Sequence, residues 1–497
     1  MKISYKNILY FSVLMGSSVI IDAPCELVTF PVSFANENEG SVPKKMVKQE
    51  IEKPGDTHGA GSGKVGEFIS EKSMPPTRPV LASEKKGSSS EGKYNLHSAI
   101  TMAVSWHPEI KRAKAEAQRL KDSIDEVMAG YNPNVEMGLS SGVETDNYTD
   151  EKNKTNQVNF SVEQMIYDFG STGNRVRLSE LNVISADYEV EKEINNILYQ
   201  AISAYLQVVR YHQLTSAAKE RIEGFNKIRD ITKKRVALGA SAESDYSQAN
   251  LRVAEALSNY NDYISQLKKW SETLNYLINK KIASKISMKI PTEIEDVYNR
   301  VLHDNPDNIE SPAIRLARTK VEIAKKQVEV QKDGHYPKIT LKPYYEYDLT
   351  AQSASNNSVR NRDRYGAFIN VKVPLYQGGA VSSKVQQAKD ALYSAQYNFD
   401  SEQNAARQKI MEFSRQMINT KESLKNKVER EKSAIRTRNL YMSQYLELGT
   451  RSFSDLTSAE SEIHQTKADI INGNYTVSNL ALESLYYAGK LINLLKA

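Results

Sequence analysis

Residues 236–250 read "VALGASAESDYSQAN", and residues 446–460 read "LELGTRSFSDLTSAE". Gly239 and Gly449 stand 210 positions apart, and so do Asp245 and Asp455. Each phrase interrupts a stretch almost free of helix breakers. Residues 176–238 hold one glycine, Gly224, and no proline, and residues 381–448 hold neither. At 1.5 Å per residue each stretch predicts a helix about 95–100 Å long, longer than any compact globular core can house. After each phrase a shorter helical run returns, over 243–279 and 453–494. Each phrase is therefore the turn of a long helical hairpin.

Working outward, everything around the turns is also duplicated. Each long stretch is entered through glycine, in "YDFG" (167–170) and "LYQGG" (375–379). From Gly170 to Gly239, and from Gly379 to Gly449, the spacing is nearly equal, as a fixed-length rod requires. Ahead of the glycines the apolar period changes to two. Val158, Phe160 and Val162 share one face, as do Tyr365, Ala367, Ile369, Val371, Val373 and Leu375. Earlier runs alternate likewise through Val135, Met137 and Leu139, and through Ile339, Leu341, Tyr345 and Tyr347. These are strand patterns, each able to reach the roughly 9–11 residues of a tilted membrane strand. Asn159, Ser161, Glu163, Asn370 and Lys372 on the alternate positions suit a water-filled interior. Pro133 and Pro337 end an incoming helix and start a strand; Gly170, Gly378 and Gly379 permit the strand-to-helix passage. Each copy opens with a helix entered at His107-Pro108 or Asn305-Pro306. The opening and returning helices, stacked end to end, match one long helix in length. The repeats span 94–285 and 286–497.

The start of the chain reads differently. Lys2, Lys6 and the apolar run 8–21, followed by "SFA" at 33–35, read as a signal peptide over 1–35, with an uncleaved N-terminal anchor as the alternative. Cleavage there removes Cys25, the one cysteine, and with it any thiolate chemistry. Residues 36–93, rich in Gly, Ser, Pro, Lys and Glu, read as a low-complexity extension unable to bury a core.

The chain has 497 residues and a net charge of +5, with basic and acidic side chains interleaved, so it offers no nucleic-acid footprint. The seven histidines show no metal-ligand spacing, and there is neither a phosphate-binding loop nor a nucleophile elbow. No metal, cofactor or catalysis is expected, so any work on a substrate must be powered by another protein.

Four strands cannot close a barrel, and lipid tolerates no open sheet edge. If these strands meet lipid the chain must oligomerise. A dimer gives eight strands and a trimer twelve, and both can close.

The duplicated plan, the two glycine junctions and the phrases "LGASAESD" (238–245) and "LGTRSFSD" (448–455) together resemble the TolC family of outer-membrane efflux and type I secretion channels, over about 94–495. The resemblance implies a mainly α protein with a membrane β part: a long antiparallel helical barrel plus four strands per chain that complete a twelve-stranded barrel in a homotrimer. It places the barrel in the outer membrane, against its lipid, and the helices in the periplasm. It implies a periplasmic adaptor and an inner-membrane pump of ABC, RND or MFS type as partners. Leu238, Gly239, Ala240 and Ser241, with Leu448, Gly449 and Thr450, become adaptor-docking tips. Arg451 matches an arginine that ties the closed entrance, and Asp455 an aspartate of a constricting ring. Asp245 falls where the arginine can be accepted. Ser458 stands where the family often has a second aspartate, and Tyr445 lies one place from the expected tyrosine, with Leu446 in line. A plainer reading has Asp245 and Asp455 capping the returning helices. The rival for the whole chain is a secreted structural or adhesive coiled-coil protein.

Overall fold

The computed structural model describes residues 94–145, 152–281, 283–301, 309–349 and 363–495. The expected signal peptide, Cys25, the 36–93 extension and the Asn305-Pro306 entry lie outside the described residues.

In the first repeat, helix α1 (Leu96–Trp106) leads into α2 (Pro108–Met128), then β1 (Asn134–Thr145), β2 (Lys152–Tyr167), α3 (Ser171–Ala237) and α4 (Glu243–Ile278). The second gives α5 (Glu293–Val301), α6 (Pro312–Lys332), β3 (Lys338–Asp348), β4 (Asp363–Lys372), α7 (Ala380–Ser443) and α8 (Phe453–Ala488). At 67 and 64 residues, α3 and α7 are rods of about 100 Å.

The entry helices begin where proline presets φ and a side chain caps the free amides. His107 Nδ1 accepts from the Glu109 N–H (3.3 Å) ahead of Pro108, and Ser311 Oγ accepts from the Ile314 N–H (3.3 Å) ahead of Pro312. Helix α6 is thus entered at Ser311-Pro312, where Ser311 supplies the capping oxygen. Both entry helices stop in a short 3-10 turn (Ala129–Tyr131 and Asp333–His335), and Pro133 and Pro337 follow immediately ahead of the strands.

The strands form one antiparallel sheet in the order β1-β2-β3-β4. Its register aligns the apolar positions across all four: Met137 opposite Phe160, Phe160 opposite Tyr345, Tyr345 opposite Tyr365. Val158, Ile339, Leu341 and Ile369 belong to the same face. The other face carries Asn159, Ser161, Glu346, Arg364 and Asn370, with an Arg364–Glu346 ion pair of 2.5 Å. β4 ends at Lys372, before the expected Val373 and Leu375, since Pro374 cannot extend the ladder. β1 and β4 each have one unpaired edge.

The helices also form an open layer. α2 and α4 both lie along α3; α6 and α8 both lie along α7 and also touch α3. The expected stacking of short helices against a long one is therefore observed. Two helices the sequence reading passed over, α1 and α5, form the waist with the middle of α3 and the ends of α4 and α8, where Ile197, Ile202, Leu274, Ile294 and Leu485 are buried. A second, smaller core near the tips gathers Phe225, Ile228, Val253, Tyr445, Phe453 and Leu456. α8 stops at Ala488 rather than running to 494, because Gly489 (φ +70°) turns the chain left-handed against α6. A Cβ there would sit 2.6 Å from Ser311 Cα. A 3-10 turn, Leu491–Leu495, then folds back into the waist core.

α7 buries Ala388, Ala406, Met417 and Ala434 only, and it exposes Tyr393, Tyr397, Met411, Ile418 and Leu440. Among the described residues no helix is long and apolar enough to cross a membrane.

Candidate gate at the helical tips

In the first tip α3 ends at Ala237, Leu238 is 82 % exposed, and Gly239 adopts φ +72°, a conformation glycine takes without steric cost. The Ala240 N–H bonds to Arg235 O at 2.8 Å, and Arg235 Nη2 donates to Ala240 O at 3.0 Å, so the arginine holds the turn it precedes. In the second tip α7 passes into a π turn, Gln444–Leu448, before Gly449 at φ +63°. A π turn winds in one residue more than an α turn, and such insertions cluster at functional sites.

Tyr445 is 3 % exposed. Its hydroxyl lies 3.0 Å from Ser241 Oγ, and the Arg235 guanidinium sits 4.6 Å from its ring centroid. The second tip is thereby bonded to the first within one protomer. Leu446, in line with the expected tyrosine, is exposed.

Neither aspartate is an N-cap. That position belongs to Ala242 in α4, with no side-chain bond, and to Ser452 in α8, whose Oγ accepts from the Asp455 N–H at 3.1 Å. Asp245 and Asp455 instead occupy the first turns, where the helix dipole favours a carboxylate. Arg451 Nε donates to Gln444 Oε1 (2.9 Å), its guanidinium lies 4.5 Å from the Tyr441 ring centroid, and Nη1 stands 3.9 Å from Asp455 Oδ2. The arginine is therefore held on its own hairpin, and among the described residues nothing joins it to Asp245. With Arg451 and Asp455 each more than 40 % exposed, their ion pair is worth well under about 1 kcal/mol. Ser458 is exposed one turn beyond Asp455. Leu448 and Thr450 are exposed and Ser241 is half-buried, so the tips present apolar and hydroxyl groups outward.

At the other end of the rods, Gly170 (φ +90°), Gly378 (φ +61°) and Gly379 (φ +79°) make the strand-to-helix turns as expected. The sequence reading missed their neighbours. Phe169 occupies the left-handed region at φ 56°, braced by Tyr167 (ring centroids 4.7 Å) and Tyr336 (6.1 Å, stacked). Asp168 accepts from the N–H groups of Thr172 (2.6 Å) and Gly170 (3.1 Å). Burial disfavours its charge, but bonds from the Thr172 side chain and backbone and the Gly170 N–H, with Arg175 nearby, outweigh burial and hold its pKa below the usual aspartate value. The signal was present in "YDFG": an acid placed just ahead of a helix start.

The described residues hold no cluster of metal-ligating side chains. Two long hairpins with cross-bonded tips, joined to a four-stranded sheet, recur in known proteins. The family model described as "Outer membrane efflux protein" matches residues 99–280 and 308–488. The chain belongs to the outer membrane efflux protein family. Members similar to it include outer membrane protein TolC of Salmonella enteritidis, 23 % identical over 80 % of this chain and 82 % of that protein. The outer membrane efflux protein BepC of Brucella suis is 21 % identical over 65 % of this chain and 72 % of its own length. Among solved structures, the outer membrane protein VceC of Vibrio cholerae superposes with a TM-score of 0.69 at 16 % identity, over 79 % of this chain and 96 % of that one. This efflux-family fold matches the one expected from the sequence.

Proposed function

We propose that this chain is the outer-membrane exit duct of a tripartite efflux or type I secretion system, conducting substrate passively from an inner-membrane pump across periplasm and outer membrane. The observation that carries the reading is the open sheet: an apolar row crosses all four strands on one face, both edges are unpaired, and the strands continue into rods of about 100 Å. A coiled-coil filament needs no such sheet.

Copies of the chain supply what the edges lack. Three copies give twelve strands and leave a lumen, whereas eight strands would be filled by their own side chains. The exposed apolar face of α7 packs against the next protomer and closes the helical layer in the same step. The tips Leu238–Ser241 and Leu448–Thr450 dock a periplasmic adaptor, which couples the duct to an ABC, RND or MFS pump. Arg451 and Asp455 line the entrance, with Asp245 and Ser458 beside it. Three Asp455 carboxylates around one axis repel each other and favour cations.

The test is ion conductance of the purified protein in a planar lipid bilayer. Small cation-preferring steps, with selectivity weakened by Asp455→Ala, support the duct and its entrance ring. Steps indifferent to that change keep the duct and remove Asp455 from its entrance. A protein that never inserts contradicts the reading.

A further inference from the structure

Beyond its first turn α3 contains a single glycine, Gly224, in a helix where glycine costs about 1 kcal/mol relative to alanine. The space it leaves is filled. A Cβ at Gly224 would stand 2.0 Å from Glu460 Oε1, a carboxylate carried by α8 and only 4 % exposed. Burying a lone carboxylate costs several kcal/mol unless it is answered. Two basic side chains answer it. His464 Nε2, one turn along α8, lies 3.1 Å from Oε1 in a hydrogen bond, and the Arg438 guanidinium, from α7, forms an ion pair with Nε 3.3 Å from Oε2 but without hydrogen-bond geometry. The other nitrogen of the imidazole, Nδ1, is buried with no partner, and the Phe225 ring of α3 stands 6.4 Å from the imidazole.

The charged groups around this cluster are already matched. Lys467 of α8 bonds Glu220 of α3, Arg221 of α3 pairs with Glu255 of α4 at 3.2 Å, and Arg430 of α7 pairs with Glu462 of α8 at 2.6 Å. Glu460 thus stands as one carboxylate between two bases, at the meeting of α3 with the α7–α8 hairpin, between the waist core and the tip core.

We propose that Glu460, His464 and Arg438 form a proton-controlled joint between the two hairpins, closed while His464 is neutral and loosened when it takes up a proton. The proposal rests on the reading of the tips as the mouth of a duct. In the closed form His464 presents Nε2–H to Glu460 and leaves Nδ1 a bare acceptor. A proton on Nδ1 creates a buried donor with nothing to accept it. It also adds a second positive charge where Arg438 already balances the carboxylate. Both penalties are relieved when α8 moves away from α3 and water reaches Nδ1. The two hairpins are fixed to each other at the waist and held again by the tip core and the Tyr445–Ser241 bond, so separation at this level strains that tip contact and draws the tips apart.

The test uses the full-length assembled protein in a Cys25→Ser background, with spin labels on Leu238→Cys and Leu448→Cys, one on each exposed tip. Distances are read by pulsed electron paramagnetic resonance at about pH 7.5 and about pH 5.5, either side of the range where imidazoles change charge. The wild-type distribution is expected to lengthen on acidification. His464→Gln keeps a donor for Glu460 but cannot charge, and its distribution is expected to stay at the neutral-pH position. Gly224→Ala drives the carboxylate out and is expected to give the longer distances at both pH values. A wild-type distribution that ignores pH, or a His464→Gln protein that shifts as far as wild type, overturns the joint; the comparison stands even if Gly224→Ala fails to fold. Because the readout is a distance, a protein that conducts no ions but whose tips respond would refute the duct and keep the joint.

Discussion

Replacing Tyr445 with phenylalanine removes one oxygen from the tip and leaves the rest of its contacts in place. The ring still fills the core with Phe453 and Leu456 and still lies under the Arg235 guanidinium. What goes is the 3.0 Å bond to Ser241, the link that joins the two tips of a protomer through a buried tyrosine. One such bond contributes about 0.5–1.5 kcal/mol, and Ser241, half-buried, can turn to water, which favours the lower end. If three protomers open together the closed state loses about 1.5–4.5 kcal/mol, which raises the open-to-closed ratio about tenfold to a thousandfold. Single-channel recording in planar bilayers measures that ratio directly. Tyr445→Phe is expected to spend more time in a high-conductance state, and Ser241→Ala to do the same. The double variant should add nothing to either, because both delete one bond. A Tyr445→Phe channel with wild-type open probability would refute the reasoning, as would independent, additive effects of the two changes.

Three further outcomes are expected. Gly489→Ala forces a side chain into the left-handed region and against Ser311, costing about 1–2 kcal/mol for the backbone and about 1–3 for the overlap, and should visibly lower the temperature at which the assembled protein dissociates; an unchanged temperature would contradict the geometry. Because the Asp168 carboxyl has a lowered pKa in the fold, its contribution is complete above the unfolded aspartate value near 4 and is lost as pH falls through the folded one. Unfolding measured across acid pH should therefore steepen in wild type relative to Asp168→Asn, and parallel curves would remove that role. Ile369→Lys puts a charge on the apolar face of β4 and is expected to cost about 2–4 kcal/mol near the bilayer midplane, whereas Asn370→Lys on the opposite face should assemble normally; equal yields of the two in outer-membrane fractions would reverse the sheet's faces.

The rods and strands were legible because local chemistry decides them. Residues 381–448 contain nothing that stops a helix, and period-two runs such as Val158–Phe160–Val162 fix a face whatever the neighbours are. α1 and α5 escaped notice because they are short, and residues such as Ile294 and Val297 read as core only against the waist that buries them. The tips were legible as turns, but not their partners. Arg451 and Asp455 could be placed on the second tip from sequence, whereas Tyr445 and Ser241 meet across 204 positions, and only the packing of two hairpins brings them together. Glu460 looked like one more charged helix position. Its burial was written in Gly224, on another helix, and a single glycine in a long rod does not say which side chain needs the room.

The central claim is that copies of this chain complete one another into a closed duct. Electron cryomicroscopy of the purified protein in lipid nanodiscs tests it most directly. The account predicts a threefold particle, with a twelve-stranded barrel in the disc and a helical cylinder of about 100 Å extending from one side of it. A monomer or a dimer with its β1 and β4 edges left open to lipid would contradict it.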